Sequence, residues 1–482
     1  MNQSYDLVVL GGGPGGYVAA IRAAQLGKSV AVVEKQALGG TCLHKGCIPS
    51  KALLRSAEVF ATLKRSEEYG IGVEGGASGL TVKFGAVQER KQRIVDELHR
   101  GVQFLMKKYG IDVIYGTGRL MGPSIFSPKS GTVSVDTPDG NNLTLVNDRL
   151  IVATGSKPRS LPGLVPDGRF VLTSDEALEL DKLPASLAII GGGVIGVEWA
   201  SMMADFGVSV IVVEAADRLL PGEDEEVSRE LGQALRKRGV ELLLGAKMAV
   251  DTVQTREDGP NGRQIRFFVE KADGRSEVAA EAALVAVGRA PNVEGIGLEN
   301  TEVVLEQGAV RVNGYMQTSE RHIYAIGDVV GKLQLAHAAT HQGIIAVEHM
   351  FGAAHGPFEP TNVPRCVYSY PEVASIGWTE QEAKAAGYRV KTAKMPFRAV
   401  GKALVYGDAT GFVKVVVDEE RNDVIGVHMI GAKVTELIAE ASLAKLLEAA
   451  PWEIGSAIHP HPTLSEALAE ASLAVDGRAV GL

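Results

Sequence analysis

The chain has 482 residues, 45% of them hydrophobic, with 57 glycines and a mean hydropathy of +0.08, the composition of a core-forming, glycine-rich α/β protein long enough for several domains. Its 49 basic against 58 acidic side chains, net −9, disfavour general nucleic-acid binding. Three cysteines exclude a secreted disulfide framework; with no signal segment before the first strand and no apolar run long enough to span a bilayer, the expected compartment is the cytoplasm, with neither membrane nor nucleic acid as partner.

In chain order, Tyr5 to Leu10 reads as a buried strand, followed by Gly11-Gly12-Gly13-Pro14-Gly15-Gly16, an Ala-rich helix to Gly27, and a strand from Ser29 to Val33 that ends at Glu34. The same series returns later: Leu187 to Ile190, then Gly191-Gly192-Gly193-Val194-Ile195-Gly196, a helix to Gly207, and a strand from Ser209 to Val213 that ends at Glu214. Each landmark of the second block lies 180 positions after its counterpart, Gly191 after Gly11 and Glu214 after Glu34. Two βαβ units with strand, glycine fingerprint, helix and terminal acid in register predict two dinucleotide sites. In each, the first glycine (Gly11, Gly191) makes the tight turn, the second (Gly13, Gly193) admits the pyrophosphate, and the third (Gly16, Gly196) lets helix and strand pack closely. The pyrophosphate rests on the helix N-terminus, and Glu34 or Glu214 accepts ribose hydroxyls.

Between the repeats, residues 50–109 carry the apolar spacing of helices, and Gly-, Thr- and Val-rich strands follow to Thr154-Gly155-Ser156. After the second unit, strands run to Val287-Gly288-Arg289, then a glycine turn at Gly327-Asp328. Residues 357–364 read as a linker. The remainder alternates strands (412–417, 424–430) with a helix (435–449) and closes on His459-Pro460-His461-Pro462-Thr463-Leu464-Ser465-Glu466 and a short helix. This last block carries no nucleotide fingerprint, so its expected task is dimerisation or completion of the active site.

Cys42 and Cys47 stand just after the first nucleotide unit, ahead of a helix predicted over 51–64. On an ideal helix, residues five apart rise ~7.5 Å and rotate apart by roughly 140°, whereas a disulfide needs Cα atoms within ~6.8 Å. The segment is therefore expected to be distorted, with Gly46 and Pro49 suited to the distortion. A helix N-terminus favours thiolate, and His44 and Lys45 add positive charge. Cys366, in a strand-like run, reads as a small buried thiol. His461 with Glu466, five residues on across a proline turn, has the pattern of a base oriented by a carboxylate. His459 shows no carboxylate partner nearby in sequence and reads as packing or hydrogen bonding. Lys51 and Glu198 each follow a glycine-rich turn, as ordinary helix-start residues or as an ion pair under a flavin ring.

These residues together resemble the pyridine nucleotide–disulfide oxidoreductases, and within them the dihydrolipoamide dehydrogenase branch. The likeness covers the whole chain and rests on Gly11 to Gly16, Gly39 to Lys51, Ala153 to Ser156, Gly191 to Glu198, Val287 to Asn292, Ala325 to Asp328, Leu335-Ala336-His337 and His461 to Glu466. It implies an α/β protein with two Rossmann-like dinucleotide-binding domains and a C-terminal α+β dimerisation domain. The implied boundaries are 1–150 (FAD-binding, first part), 151–280 (NAD-binding), 281–350 (FAD-binding or central, second part) and 351–482 (dimerisation). FAD is implied at the first fingerprint, held by Gly11, Gly13, Gly16, Glu34, Lys35, Gly40, Thr41, Lys51, Gly118, Thr154, Gly155, Ser156, Asp328 and Ala336. NAD is implied at the second, with Gly191, Gly193, Gly196, Glu198, Glu214, Met248 and Gly288; no metal is implied.

The implied reaction is oxidation of protein-bound dihydrolipoamide to lipoamide with reduction of NAD+. His461 deprotonates the substrate thiol, which attacks Cys42 of a Cys42–Cys47 disulfide, and Cys47, nearer the flavin, passes the electrons on. The implied assembly is a homodimer in which His461 and Glu466 serve the partner's site. With no lipoyl domain expected ahead of Met1, the lipoyl group would come from the acyltransferase of a 2-oxoacid dehydrogenase complex. Among relatives, a glutathione-reductase-like NADP enzyme is disfavoured because Glu214 repels a 2′-phosphate. A non-enzymatic flavoprotein is disfavoured because Cys42 and His461 are both present. The chain departs from the family where His44-Lys45 replaces the common Asn-Val, and where Ala338, His341 and Gln342 follow Leu335-Ala336-His337. The first departure suggests a copy specialised for one 2-oxoacid complex.

Overall fold

The computed structural model describes residues 2–123, 129–259, 262–353 and 356–481. It divides into two compact units interleaved along the chain: Met1–Ala52, Glu89–Pro158 and Arg289–Pro360 form the first, and Leu53–Gln88, Arg159–Gly288 and Thr361–Leu482 the second.

The first unit is built on a seven-stranded sheet ordered Asp112–Tyr115, Val30–Glu34, Asn2–Leu10, Asn142–Val152, Thr132–Asp136, Thr117–Met121, with Ile323–Ala325 also paired to Asn142–Val152. The pairs around Asn2–Leu10 are parallel. Both faces are covered, so these strands are apolar at successive positions rather than alternate ones. Leu7, Val9, Val32 and Ile151 enter one core layer, while Val8, Leu10, Val33 and Val152 enter the other. Helix Pro14–Gln25 starts at the fingerprint and packs on helix Ala336–Met350. That crossing is a close backbone approach: a Cβ on Gly343 would lie 2.8 Å from the Gly15 carbonyl oxygen.

The second unit repeats the parallel sheet in the order Glu241–Leu244, Ser209–Glu214, Ser186–Ile190, Ala282–Val285, Val171–Leu172. A three-stranded antiparallel sheet (Lys247–Arg256, Gln264–Lys271, Gly274–Ala280) follows. The C-terminal part is a five-stranded antiparallel sheet, ordered Arg365–Val367, Glu372–Gly377, Val424–Gly431, Phe412–Asp418, Val390–Pro396, against which helices Val434–Leu446 and Glu466–Ala474 pack. Phe412–Asp418 is buried at every residue, so Lys414 is carried into the core. It meets Asp224 at 3.0 Å, Glu226 at 3.0 Å and Glu380 at 2.8 Å. Among the described residues no helix is long and apolar enough to cross a membrane.

Three sequence expectations shift. The helix expected from Lys51 begins at Cys47 and runs to Lys64, so Pro49 sits in its first turn, where the missing N–H costs nothing, and takes no part in the distortion. Glu198 lies in the second turn of helix Val194–Asp205 rather than the first. The helix expected over 435–449 spans Val434–Leu446, and Pro451–Ser456 forms a separate helix that Pro451 opens.

Candidate functional site

The two glycine fingerprints fold alike because the same steric demands recur. Gly11 and Gly191 hold φ of +112° and +113°, a left-handed region where glycine has no Cβ penalty. A Cβ on Gly16 would overlap the Gly11 carbonyl oxygen, and one on Gly196 the Gly191 carbonyl oxygen. The terminal acids are clamped identically. Glu34 accepts the Gly12 N–H at 2.8 Å and the Gln36 N–H at 2.7 Å; Glu214 accepts the Gly192 N–H at 2.5 Å and the Ala216 N–H at 2.7 Å. Each carboxylate oxygen keeps one lone pair for a further donor, which fits a ribose hydroxyl. The middle glycines differ in cover. A Cβ on Gly13 would come within 3.9 Å of the Gly40 Cα, whereas one on Gly193 would meet nothing within 4 Å. Both cradles suit a dinucleotide pyrophosphate, the first beneath a neighbouring turn and the second open.

The cysteine segment is two helices, Gly40–Lys45 and Cys47–Lys64, broken at Gly46 with φ −150° and ψ −112°. Cys42 lies in the first and Cys47 opens the second, so the break brings together two sulfurs that one continuous helix would hold apart. Ser50 Oγ caps the break by donating to the Gly46 carbonyl at 2.6 Å. The two cysteines are not joined by a disulfide. The Cys42 thiol is pushed up from its ordinary range, first by its hydrogen bond to Cys47, then by burial and by the neighbouring sulfur's charge, with Lys51 opposing. The two sulfurs are thus hydrogen-bonded to one another and titrate as a pair.

His44 places Nε2 2.9 Å from the Leu38 carbonyl, which also accepts Nδ1 of His99 at 2.9 Å. The two rings meet edge to face with centroids 5.1 Å apart. Lys45 is exposed. His44 is thus a strap between the cysteine segment and helix Phe84–Lys108, a partner 55 positions away that no local pattern could reveal.

Thr154 donates to the Asn292 carbonyl at 2.7 Å, and Ser156 donates to Asp328 at 2.5 Å while accepting Arg289 Nε at 2.7 Å. Gly155, at φ +72°, accepts the Asn292 N–H at 2.9 Å. Gln342 is buried and accepts the Gly327 N–H at 2.7 Å, supporting the Asp328 turn. Gly118 admits no Cβ, which would lie 2.5 Å from Leu10 Cδ1. Ala336 opens helix Ala336–Met350, and Lys35 is exposed beside Glu34. Thr41 lies in the Cys42 helix.

In the second unit, Glu198 is buried and accepts the Tyr368 N–H at 3.0 Å. Met248 lies in strand Lys247–Arg256, paired with Val269, and Gly288, at φ +104°, accepts the Arg159 N–H at 3.0 Å. His461 Nδ1 meets Glu466 Oε1 at 2.9 Å, and the other Glu466 oxygen accepts the Thr463 N–H at 2.8 Å. The Thr463 N–H and then the His461 ring hold the Glu466 carboxyl below its usual range. This leaves Nε2, the outer nitrogen of a side chain 78% exposed, facing away from its orienting carboxylate. His459 does have a carboxylate partner, Glu440 at 2.7 Å, supplied by a helix 19 positions earlier. His459 is thus a hydrogen-bonding residue as its sequence suggests, with a partner that is distant in the chain. Leu443, Leu446, Leu447 and Ile458 of this C-terminal part are exposed large apolar side chains, the surface a dimerisation domain presents.

Two dinucleotide folds, a bent dithiol segment and an oriented histidine define an oxidoreductase that moves electrons between sulfur and a pyridine nucleotide. The chain belongs to the pyridine nucleotide-disulphide oxidoreductase family: that family's model matches residues 5–343 and its dimerisation-domain model residues 363–472. It is 57% identical to a dihydrolipoyl dehydrogenase of Bacillus subtilis over 481 residues, covering 100% of both chains. It is 42% identical to the dihydrolipoyl dehydrogenase of Zymomonas mobilis over 484 residues, again covering 100% of both. The crystal structure of LpdA from Mycobacterium tuberculosis superposes with a TM-score of 0.88 at 29% identity, covering 98% of this chain and 99% of that one.

Proposed function

We propose that the protein oxidises protein-bound dihydrolipoamide to lipoamide, with FAD in the first cradle and NAD+ as final acceptor in the second. The observation that carries this reading is the pairing of a Gly46-bent Cys42/Cys47 dithiol with the Glu466-oriented His461, in a chain 57% identical to a dihydrolipoyl dehydrogenase. His461 takes the proton of one substrate thiol. The resulting thiolate attacks Sγ of Cys42 in the Cys42–Cys47 disulfide; that S–S bond breaks and Cys47 leaves as thiolate. The second substrate thiol attacks the substrate sulfur of the mixed disulfide; His461 gives its proton to Cys42 as that sulfur leaves and takes the proton of the attacking thiol in its place. Lipoamide closes, His461 ends protonated, and the product is the reduced Cys42/Cys47 pair, a Cys42 thiol beside a Cys47 thiolate. Bound FAD supplies the two-electron relay between this dithiol and NAD+.

Gly11, Gly13 and Gly16 with Glu34 would hold the FAD pyrophosphate and ribose, and Asp328, steadied by Ser156, the ribityl chain. Lys35, Gly40, Thr41, Lys51, Gly118, Thr154, Gly155 and Ala336 complete that site. Gly191, Gly193, Gly196 and Glu214 would hold NAD, with Glu198, Met248 and Gly288 at its rim. The exposed His461 serves the cysteine pair of a second copy in a homodimer. The lipoyl group arrives on the acyltransferase of a cytoplasmic 2-oxoacid dehydrogenase complex. The domains run 1–150, 151–280, 281–350 and 351–482. Purified protein should turn over dihydrolipoamide with NAD+; faster reduction of glutathione disulfide with NADPH would sink the reading.

A further inference from the structure

We propose that His459 is the positioning residue for the His461 base, a strut that ties the turn carrying His461 to two separate helices; the inference rests on the reading of His461 as the proton acceptor. His459 Nε2 meets Glu440 Oε1 at 2.7 Å and Nδ1 meets the Ala457 carbonyl at 2.8 Å. The ring is thereby held at both nitrogens, by a side chain and by the backbone. The His459 side chain is 8% exposed while that of His461, two residues on, is 78% exposed. One ring is built into the protein and the other is presented.

The chain between explains why the strut matters. Helix Pro451–Ser456 ends at Ala457, Ile458 is 99% exposed, and Pro460 is exposed. Upstream of His461, His459 ties this turn to another helix, while the Thr463 hydroxyl donates to the Pro460 carbonyl at 2.7 Å within the turn; the prolines at 460 and 462 transmit the fix because each locks its own φ. Downstream, Glu466 holds both His461 and the Thr463 N–H. Glu440 of helix Val434–Leu446 reaches the ring, and Lys445 of the same helix is turned to Asn362 at 2.8 Å. Glu453 of helix Pro451–Ser456 accepts the Ala450 N–H at 2.8 Å. Glu466 of helix Glu466–Ala474 is coupled to His459 electrostatically. The base is held from two sides, by Glu466 at its ring and by His459 through its backbone.

The test uses the full-length, flavin-loaded enzyme with His459→Gln, Glu440→Gln and Glu440→Ala beside His461→Gln. Dihydrolipoamide turnover and NADH-driven dye reduction are measured in each. In His459→Gln and Glu440→Ala, kcat for dihydrolipoamide should fall about 10- to 100-fold, part of what a general base supplies. Dye reduction, flavin content and the KM for NAD+ should stay unchanged. Glu440→Gln, which keeps an acceptor oxygen, should recover much of the loss. Turnover within twofold of wild type in both His459→Gln and Glu440→Ala overturns the strut. Should His459→Gln fail to fold, Glu440→Ala decides. Full turnover in His461→Gln would instead overturn the reading of His461 as base.

Discussion

Replacing Lys414 by methionine removes an ammonium group from the core of the second unit and leaves three carboxylates behind it. Lys414 is 3% exposed and Asp224 0%, with Glu226 and Glu380 at the rim of the cluster. Glu226 keeps Lys394, and Glu380 keeps Lys384. Asp224 keeps only the Glu226 N–H that it caps at 2.9 Å among its described hydrogen bonds, so the cost concentrates there. Removing one partner of a buried pair costs about 3–5 kcal/mol, roughly two to three and a half powers of ten in the unfolding equilibrium. All three tryptophans, Trp199, Trp378 and Trp452, lie in this unit, so urea unfolding followed by tryptophan fluorescence reads the loss directly. Adding Asp224→Asn, which removes the stranded charge, should recover most of it. The pH dependence follows from the shifts. Burial pushes Glu226 up, but Lys394 and Lys414 outweigh it and bring it down to about 2. Its contribution is therefore complete above the ordinary carboxylate value of about 4.3 and fades as pH falls towards its folded value. Lys414 is opposed by burial but raised by Glu380, Glu226 and Asp224; its contribution is complete below the ordinary lysine value of about 10.4 and lost above its folded one. The gap between wild type and variant should be flat from about pH 5 to pH 10 and shrink outside that window. A loss under about 1 kcal/mol at neutral pH, or a gap that widens from pH 6 to pH 4, would refute the reasoning.

Three further outcomes are expected. His461→Gln should lower dihydrolipoamide turnover by about 10²- to 10⁴-fold while bound flavin and dye reduction by NADH persist; equal loss of all three would mean a folding defect. Cys42→Ser should abolish disulfide exchange, and the Cys42→Ser/His461→Gln double variant should be no worse than Cys42→Ser, because base and sulfur act on one step; additive losses would separate them. Gly196→Ala, whose methyl overlaps the Gly191 carbonyl, should weaken NADH binding about 100-fold and keep flavin. Gly16→Ala should instead release flavin, as bound-flavin absorbance and the KM for NADH will show.

The βαβ repeat was readable in sequence because each landmark answers a local demand: a glycine where φ is positive, another where helix meets strand, an acid at the strand end. The break at Gly46 was readable for the same reason, since two sulfurs five residues apart cannot meet on a regular helix. Pro49 misled because proline breaks a helix interior yet suits its first turn. The partners that fix the site were not readable. His44 with His99, Gly327 with Gln342, His459 with Glu440 and Asp224 with Lys414 are joined across 55, 15, 19 and 190 positions. Only the packing of whole elements brings such pairs together, and a side chain's type does not reveal which distant element it will face. Lys414 is the extreme case, a charge on a strand buried at every residue.

The unequal cover over the two fingerprint turns bears on how long each nucleotide stays. A ligand seated at Gly13 would share its space with the Gly39–Gly40 backbone, 3.9 Å from a Cβ placed there, whereas one at Gly193 would meet no such neighbour within 4 Å. If the proposed reading holds, the ligand of the first turn should leave more slowly than that of the second, because affinity differences of this kind act mostly on the off-rate. Residence time, rather than the chemistry of the seat, would then separate a carrier that remains from one that takes the electrons away.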